Sequence, residues 1–422
     1  ERARRFAYRA GSPALAALAQ GQFRPVDLVC FGDSTQLVDG HGWDGALTKA
    51  FAQDERFGIW ASALYPQERV PSTGLSSQGW NVYSAVGVAG ATTGADAAFD
   101  DRRHPHPLGN YLYEASGDIG NSNGLVVPVV GELDVDAALR YHIYYGTFGS
   151  GSGSFRPTAR MGQSPWTTLV DGSVISTNTG AIGEASTYID LAAAARGHAV
   201  QFMLQRPGGT ASVGPTIFLG QRIENRDKAH GVSLHSFYAT GGASLYDTAL
   251  YFQDTISAAR AMWGFGKLRA LQIARGHKPV IVVRLCFGLN DRNETGTPTR
   301  GPLAYTGSGS DGTAYADNLN GLVDTLETAW EAQGWPLDEL FFHIVTSYPV
   351  AEPDDMVGYR SAARLVIASR KRCGFVDMAM LVPQAETMAH SGLSDGTHFT
   401  SAWADEIARR EVGLIPALGV VA

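Results

Sequence analysis

The sequence is poor in cysteine, and the three cysteines it has form no disulfide framework. Cys30 and Cys286 each stand two residues before a glycine at the end of an apolar run, where a thiol serves as a small buried hydrophobe. No CxxC or HExxH pattern points to a metal, and nothing calls for a cofactor. His104 and His106 in "RRHPHPLG" are separated by proline in a polar, loop-like segment. No apolar run approaches the roughly 20 residues of a membrane-spanning helix. A positive excess is missing as well. The 33 Lys and Arg against 41 Asp and Glu give a net charge of −8, which argues against a nucleic-acid partner.

What is present is a chain of 422 residues, 44% hydrophobic and 18% charged, the balance of a soluble globular protein with room for more than one domain. Its 50 glycines favour turns and β structure over long helical bundles. Apolar runs near both ends read as strands. The first is residues 26–31, followed by a helix-like stretch, "GWDGALTKAFAQD" (42–54). Three more are "KPVIVVRLCFG" (278–288), "ELFFHIVTSY" (339–348) and "GFVDMAML" (374–381). Near-continuous apolar strands belong in a parallel sheet covered on both faces. Between them, Tyr315, Leu319, Leu322, Val323, Leu326 and Trp330 fall at helical spacing, and Gly334 ends the run. Trp403 and Ile407 share one face of "SAWADEIARREVG". Alternating strand and helix predicts an α/β sandwich with its site at the carboxyl ends of the strands.

From about residue 125 to 225 the period changes to two. Leu139, Tyr141, Ile143 and Tyr145 share one face, as do Val200, Phe202 and Leu204. The Gly-Ser run "GTFGSGSGSF" (146–155) predicts a hairpin tip between two such strands. The region therefore predicts an antiparallel β-sandwich inserted into the α/β domain. The expected division is 1–60 for the first part of that domain, 61–228 for a connecting segment and the insert, and 229–422 for the second part. "SQGWNVYSAVGVAGATTGAD", within residues 61–120, reads only as a strand and turn.

Chemistry concentrates in three short stretches. In "DLVCFGDSTQLVDG" an apolar run ends abruptly in Gly32-Asp33-Ser34. In "SGLSDGTHFT" Asp395 stands three residues before His398, so one loop can supply a general base and the carboxylate that orients it. In "LCFGLNDRN" the residues Gly288-Leu289-Asn290-Asp291 follow an apolar strand, where an Asn amide suits an oxyanion donor.

In order and spacing these three stretches resemble the SGNH (GDSL-type) hydrolase superfamily, over residues 24–60 and 228–415. The resemblance implies a flavodoxin-like three-layer α/β/α fold. It also implies Ser34 as nucleophile, His398 as base, Asp395 as its orienter, and the Ser34 N–H and the Asn290 side chain as oxyanion donors. The superfamily's remaining mark is a glycine after the second strand, whose N–H completes the oxyanion hole. Two glycines compete for it. Gly90 sits in "YSAVGVAGATTG"; Gly241 sits in "GVSLHSFYATGGAS", where Val232, Leu234 and Ser236 alternate into Gly241-Gly242. Gly241 is favoured, because family forms with an inserted β-sandwich resume the catalytic domain with such a strand, although Tyr238 stands where the family often has glycine.

A site of this kind transfers acyl groups through a covalent acyl-enzyme. The resemblance implies an oxygen ester, and the insert resembles the carbohydrate-binding modules of sugar O-acetylesterases. The aromatics it offers as a sugar platform are Trp166, Tyr144, Phe155 and Tyr188, each equally suited to a core or an edge strand. The leading expectation is a serine esterase that removes a short acyl group, acetyl foremost, from a carbohydrate or other small-molecule or polysaccharide ester. A lipase or thioesterase-like enzyme for longer chains is the alternative, disfavoured by the lack of a long apolar lid helix. An inactive carbohydrate-binding or structural protein is the second, disfavoured by the intact Ser34, Asn290, Asp395 and His398. For Arg292, Trp43 and His41 substrate contact and packing are both open. The start at Glu1 and the family together suggest a removed leader and a secreted or periplasmic address.

Overall fold

The computed structural model describes residues 12–33, 43–62, 81–84, 110–114, 125–128, 133–147, 153–161, 167–181, 183–197, 200–205, 216–239, 244–253, 255–291, 313–346, 348, 356–382, 392–393 and 398–417. The chain divides into two compact units. One comprises Glu1–Gly58, Val86–Ala89 and His230–Ala422, the other Ile59–Ala85 and Gly90–Ala229.

The first unit opens with α1 (Pro13–Ala19), whose Ser12 cap accepts a hydrogen bond from the Leu15 N–H at 3.3 Å, and continues into β1 (Pro25–Gly32) and α2 (Trp43–Gln53). The second unit contributes β2 (Asn81–Ser84), β3 (Asn110–Glu114), β4 (Leu125–Pro128), β5 (Leu139–Thr147), β6 (Ser154–Met161) and β7 (Thr168–Asp171). After these come β8 (Ile175–Ser176), β9 (Gly183–Leu191), β10 (Val200–Gln205) and β11 (Thr216–Asn225). The first unit resumes with β12 (Gly231–Ala239), α3 (Leu245–Gln253), α4 (Thr255–Ala274), β13 (Ile281–Phe287) and α5 (Thr313–Ala332). It ends with β14 (Leu340–Thr346), α6 (Val357–Ala368), β15 (Cys373–Val376), α7 (Met378–Leu381) and α8 (Ser401–Gly413).

In the first unit five parallel strands lie in the order β12-β1-β13-β14-β15. The strand order reverses beside β1, and in open α/β sheets the crevice at such a reversal is where ligands bind. Every residue of β1 and β13 is buried, as two covered faces require. Two charged side chains interrupt these strands, and each is met. Asp27 of β1 accepts from Gln272 Nε2 of α4 and pairs with His235 Nε2 of β12, both at 2.8 Å. Arg284 of β13 forms a two-pronged ion pair with Glu411 of α8 at 2.9 and 3.0 Å, and His343 Nε2 of β14 reaches the same carboxylate at 3.2 Å. The Trp43 ring of α2 lies 4.4 Å from the Arg284 guanidinium. All three cysteines are free and buried.

The sequence reading fails at one strand. Residues 374–381 read as one apolar run, yet β15 stops at Val376 and Asp377 caps α7, accepting from the Ala379 N–H at 3.1 Å. A capping carboxylate outweighs the apolar residues that follow it.

The second unit holds two antiparallel five-stranded sheets, β4-β10-β6-β7 with β8 on β6, and β2-β3-β11-β5-β9. Tyr141 of β5 stacks on Phe202 of β10 at 4.8 Å, and Tyr145 of β5 meets Phe155 of β6 edge-on at 5.1 Å, so aromatic pairs join one sheet to the other. The Gly-Ser run is consequently no hairpin tip. β5 and β6 belong to different sheets, and the run joins the two. Turn chemistry reports that the chain bends, not which strand it next pairs with.

Burial alone would raise the Glu411 carboxyl, but the Arg284 charge and the bonds from His343 and Arg284 hold it down at about 2. A group depressed on folding contributes stability that is complete above its ordinary value of 4.5 and lost as pH falls through about 2. Glu411→Ala should therefore cost about 3–5 kcal/mol by urea unfolding at neutral pH, since it strands a buried guanidinium. The mutant should also lose less stability than wild type between pH 4.5 and 2. Equal acid sensitivity in the two proteins would show that the pair does not carry this term.

Candidate functional site

The carboxyl ends of β12, β1 and β13 are neighbours in register: Gly32 of β1 lies opposite Ala239 on one side and Cys286 on the other. Beyond β1 the chain runs into Asp33, which is buried, and then Ser34. Beyond β13 it runs into Gly288-Leu289-Asn290-Asp291. Gly288 has φ of 137°, a conformation that costs other residues of order 1–3 kcal/mol and explains the glycine opening this stretch. Leu289 is buried and Asn290 half-buried.

This turn is held from two directions. Tyr315 of α5 donates its hydroxyl to the Phe287 carbonyl at 3.2 Å. Burial, and then the neighbouring Asp291 charge, pushes that hydroxyl well above its ordinary value, so it stays a neutral donor. Asp291 is buried, and its carboxylate accepts from the backbone N–H groups of Leu245 at 3.1 Å and Tyr246 at 3.4 Å, the first two residues of α3. Phe252 farther along α3 stacks on Phe31 of β1 at 5.6 Å.

His398 comes from the far end of the chain. It lies, half-buried, in a bend closed by a bridge between Leu393 and Phe399 and by the Thr400 N–H donating to the Gly392 carbonyl at 2.7 Å. Thr400 then caps α8 by accepting from the Trp403 N–H at 3.4 Å. Phe399 is buried, stacked on Tyr348 at 4.0 Å and edge-on to Trp43 at 5.8 Å. Packing thus fixes the residue next to His398 between the start of α2 and the segment after β14.

Of the residues expected at the site, Asn290 and His398 are described. Ser34, Asp395 and Gly241, with the competing Gly90, lie outside the described residues, as do Arg292 and His41. Trp43 is no substrate contact: it is fully buried between Arg284 and Phe399. The sequence names Asp291 only as the neighbour of Asn290 and Tyr315 only as part of an apolar helix face, and gives neither a role at the site. Asp291 was visible as the residue beside Asn290, whereas its partners on α3 are long-range. Among the described residues no group of three or more His, Cys, Asp or Glu is placed to hold a metal ion.

Of the expected sugar-platform aromatics, Tyr144 and Phe155 are buried in the second unit and present no ring to a ligand. Both faces of β5 are covered, which its alternating pattern does not reveal. Trp166 lies outside the described residues. Tyr188 is 54% exposed, with the Arg140 guanidinium 4.0 Å from its ring centre. Arg140 is fixed in turn by Asp190 through two bonds of 2.7 Å.

No protein-family model matches the chain, and no curated protein matches it. Solved structures to which it is similar include a family two carbohydrate esterase from Clostridium thermocellum in complex with cellohexaose. The identity is 13%, over 72% of this chain and 98% of that one, with a TM-score of 0.32. A family two carbohydrate esterase from Cellvibrio japonicus gives 10% identity over 81% and 97%, with a TM-score of 0.29. The tandem CBM22 domain of Xyn10C from Paenibacillus barcinonensis gives 10% identity and a TM-score of 0.24. That match covers 35% of this chain and 45% of the tandem domain's length. These scores are too low to assign the chain to either group.

One glycine of the His398 segment is fixed by close packing. A Cβ on Gly392 would lie 2.6 Å from Cδ1 of the Trp403 ring. Gly392→Ala should therefore displace Trp403 and destabilise the protein by about 1–3 kcal/mol, with a changed near-UV circular dichroism spectrum. An unaltered melt and spectrum would show that the ring has room to shift.

Proposed function

We propose that this chain is a serine ester hydrolase of the SGNH type, removing short acyl groups, acetyl foremost, from a carbohydrate. Its first unit is then a flavodoxin-like three-layer domain, and its second an inserted β-sandwich that engages the polymer. The observation that carries the reading is the register of three strand ends. From Ala239, Gly32 and Cys286 the chain leads directly into Gly241, into Ser34 and into Asn290. These are the residues an oxyanion site and its nucleophile require, and in sequence each follows a strand beside the point where the sheet order reverses.

In the reaction the Ser34 hydroxyl attacks the ester carbonyl while His398 takes its proton, with Asp395 holding the imidazole tautomer. The carbonyl oxygen becomes an oxyanion that accepts from the Asn290 amide and the N–H groups of Ser34 and Gly241. Collapse expels the sugar alcohol, to which His398 returns the proton. Water, deprotonated by the same imidazole, then attacks the acyl-enzyme and releases the carboxylic acid and free Ser34.

The test is hydrolysis of p-nitrophenyl esters of graded acyl length. Wild type should prefer acetate, and Ser34→Ala should be inert while melting like wild type. Turnover that survives in Ser34→Ala would sink the assignment, and a preference for long chains would favour the lipase-like alternative. Asn290→Ala should lower kcat by about 10²–10³. For the insert, Tyr188→Ala should weaken binding to acetylated polysaccharide by up to about tenfold and leave p-nitrophenyl acetate hydrolysis unchanged. Unchanged polysaccharide binding would remove Tyr188 from the sugar contact.

A further inference from the structure

The first turn of a helix has N–H groups without partners in the helix itself, and a residue just before it ordinarily satisfies them. In α3 two of them are met from far along the chain. The Asp291 carboxylate, 46 residues beyond Leu245, accepts from the N–H groups of Leu245 and Tyr246. A carboxylate 2% exposed is expensive to desolvate. What the long-range bond adds is a fixed spacing. One end of it is the residue next to Asn290, on the turn that Tyr315 holds through the Phe287 carbonyl. The other is the head of the helix that follows Gly241 in the chain, a helix fastened to β1 by the Phe252–Phe31 stack just before Asp33 and Ser34. Charge favours the arrangement too, since the positive end of the α3 dipole faces the carboxylate.

We infer that Asp291 is a positioning residue: its carboxylate ties the start of α3 to the turn bearing Asn290 and so sets the spacing of the oxyanion donors. It touches no substrate. The inference rests on the esterase reading above, because only there is the spacing of Asn290 from the α3 side a catalytic quantity. A misplacement of about 1 Å is enough to lower turnover about 10²-fold.

The experiment is steady-state kinetics on p-nitrophenyl acetate at a temperature where every variant is folded by circular dichroism. Asp291→Ala should lower kcat by about 10²-fold with KM within about threefold, as expected when an interaction made in the transition state is weakened. Asp291→Asn keeps an acceptor oxygen for the helix and should recover most of the rate. In the Asn290→Ala background, Asp291→Ala should cost far less than it does alone, since both changes act on one oxyanion site. A lower melting temperature with wild-type kcat would make Asp291 a structural cap only and overturn the inference. Fully additive losses in the double variant would overturn it as well. If Asp291→Ala does not fold, Asp291→Asn and Asp291→Ser carry the same comparison. Failure of the esterase reading is distinct: wild type would hydrolyse no ester, or Ser34→Ala would hydrolyse as well as wild type.

Discussion

An arginine in the middle of an otherwise apolar strand sets the layout of the first unit. Arg284 has no exposed surface, and a guanidinium cannot remain there unless a carboxylate comes to it. The carboxylate is Glu411, in the last helix of the chain, so the C-terminal segment must return to the centre of the sheet. The return brings the bend that carries His398 to the body formed by the earlier strands. Phe399 packs there against Trp43, whose other neighbour is the Arg284 guanidinium. The position of His398 therefore depends on an ion pair at the opposite end of α8.

The parallel sheet was legible because its strands are covered on both faces, which leaves a near-continuous apolar signature over β1, β13 and β14. Helices were legible wherever apolar residues recur at helical spacing, as in α5 and α8. What escaped was partnership. The Gly-Ser run announced a turn but not that β5 and β6 would join different sheets, and Asp377 was absorbed into an apolar pattern whose strand it ends. Exposure also escaped: Tyr144 and Phe155 looked like Tyr188, yet only Tyr188 of the three reaches solvent.

At the candidate site the same line separates residues that a local motif marks from residues that it does not. Asn290 and His398 could be picked out because each lies in a short motif whose chemistry is local. Tyr315 and Asp291 could not, because what they do is defined by atoms elsewhere in the chain, a carbonyl at the end of β13 and two amides at the head of α3. Trp43 was ambiguous for the converse reason. An aromatic nine residues past Ser34 in the Gly-Asp-Ser stretch reads equally as a substrate contact or as packing, and its burial decides for packing.

Three of the buried acidic and basic side chains of the first unit share a design. Asp27 ties β1 to α4 through Gln272, Arg284 ties β13 to α8 through Glu411, and Asp291 ties the turn after β13 to α3. Apolar contact alone would hold these helices against the sheet, since cores tolerate small shifts of well-matched surfaces. It would not fix where along the sheet each helix stops. A buried charge with directional bonds does, because sliding by a fraction of a hydrogen bond leaves the group unpaired in a dry environment. For stability the arrangement is no better than well-packed apolar side chains, and it carries a desolvation cost they avoid. Its benefit is positional, and a candidate site assembled from segments far apart in the chain is where precise placement matters most.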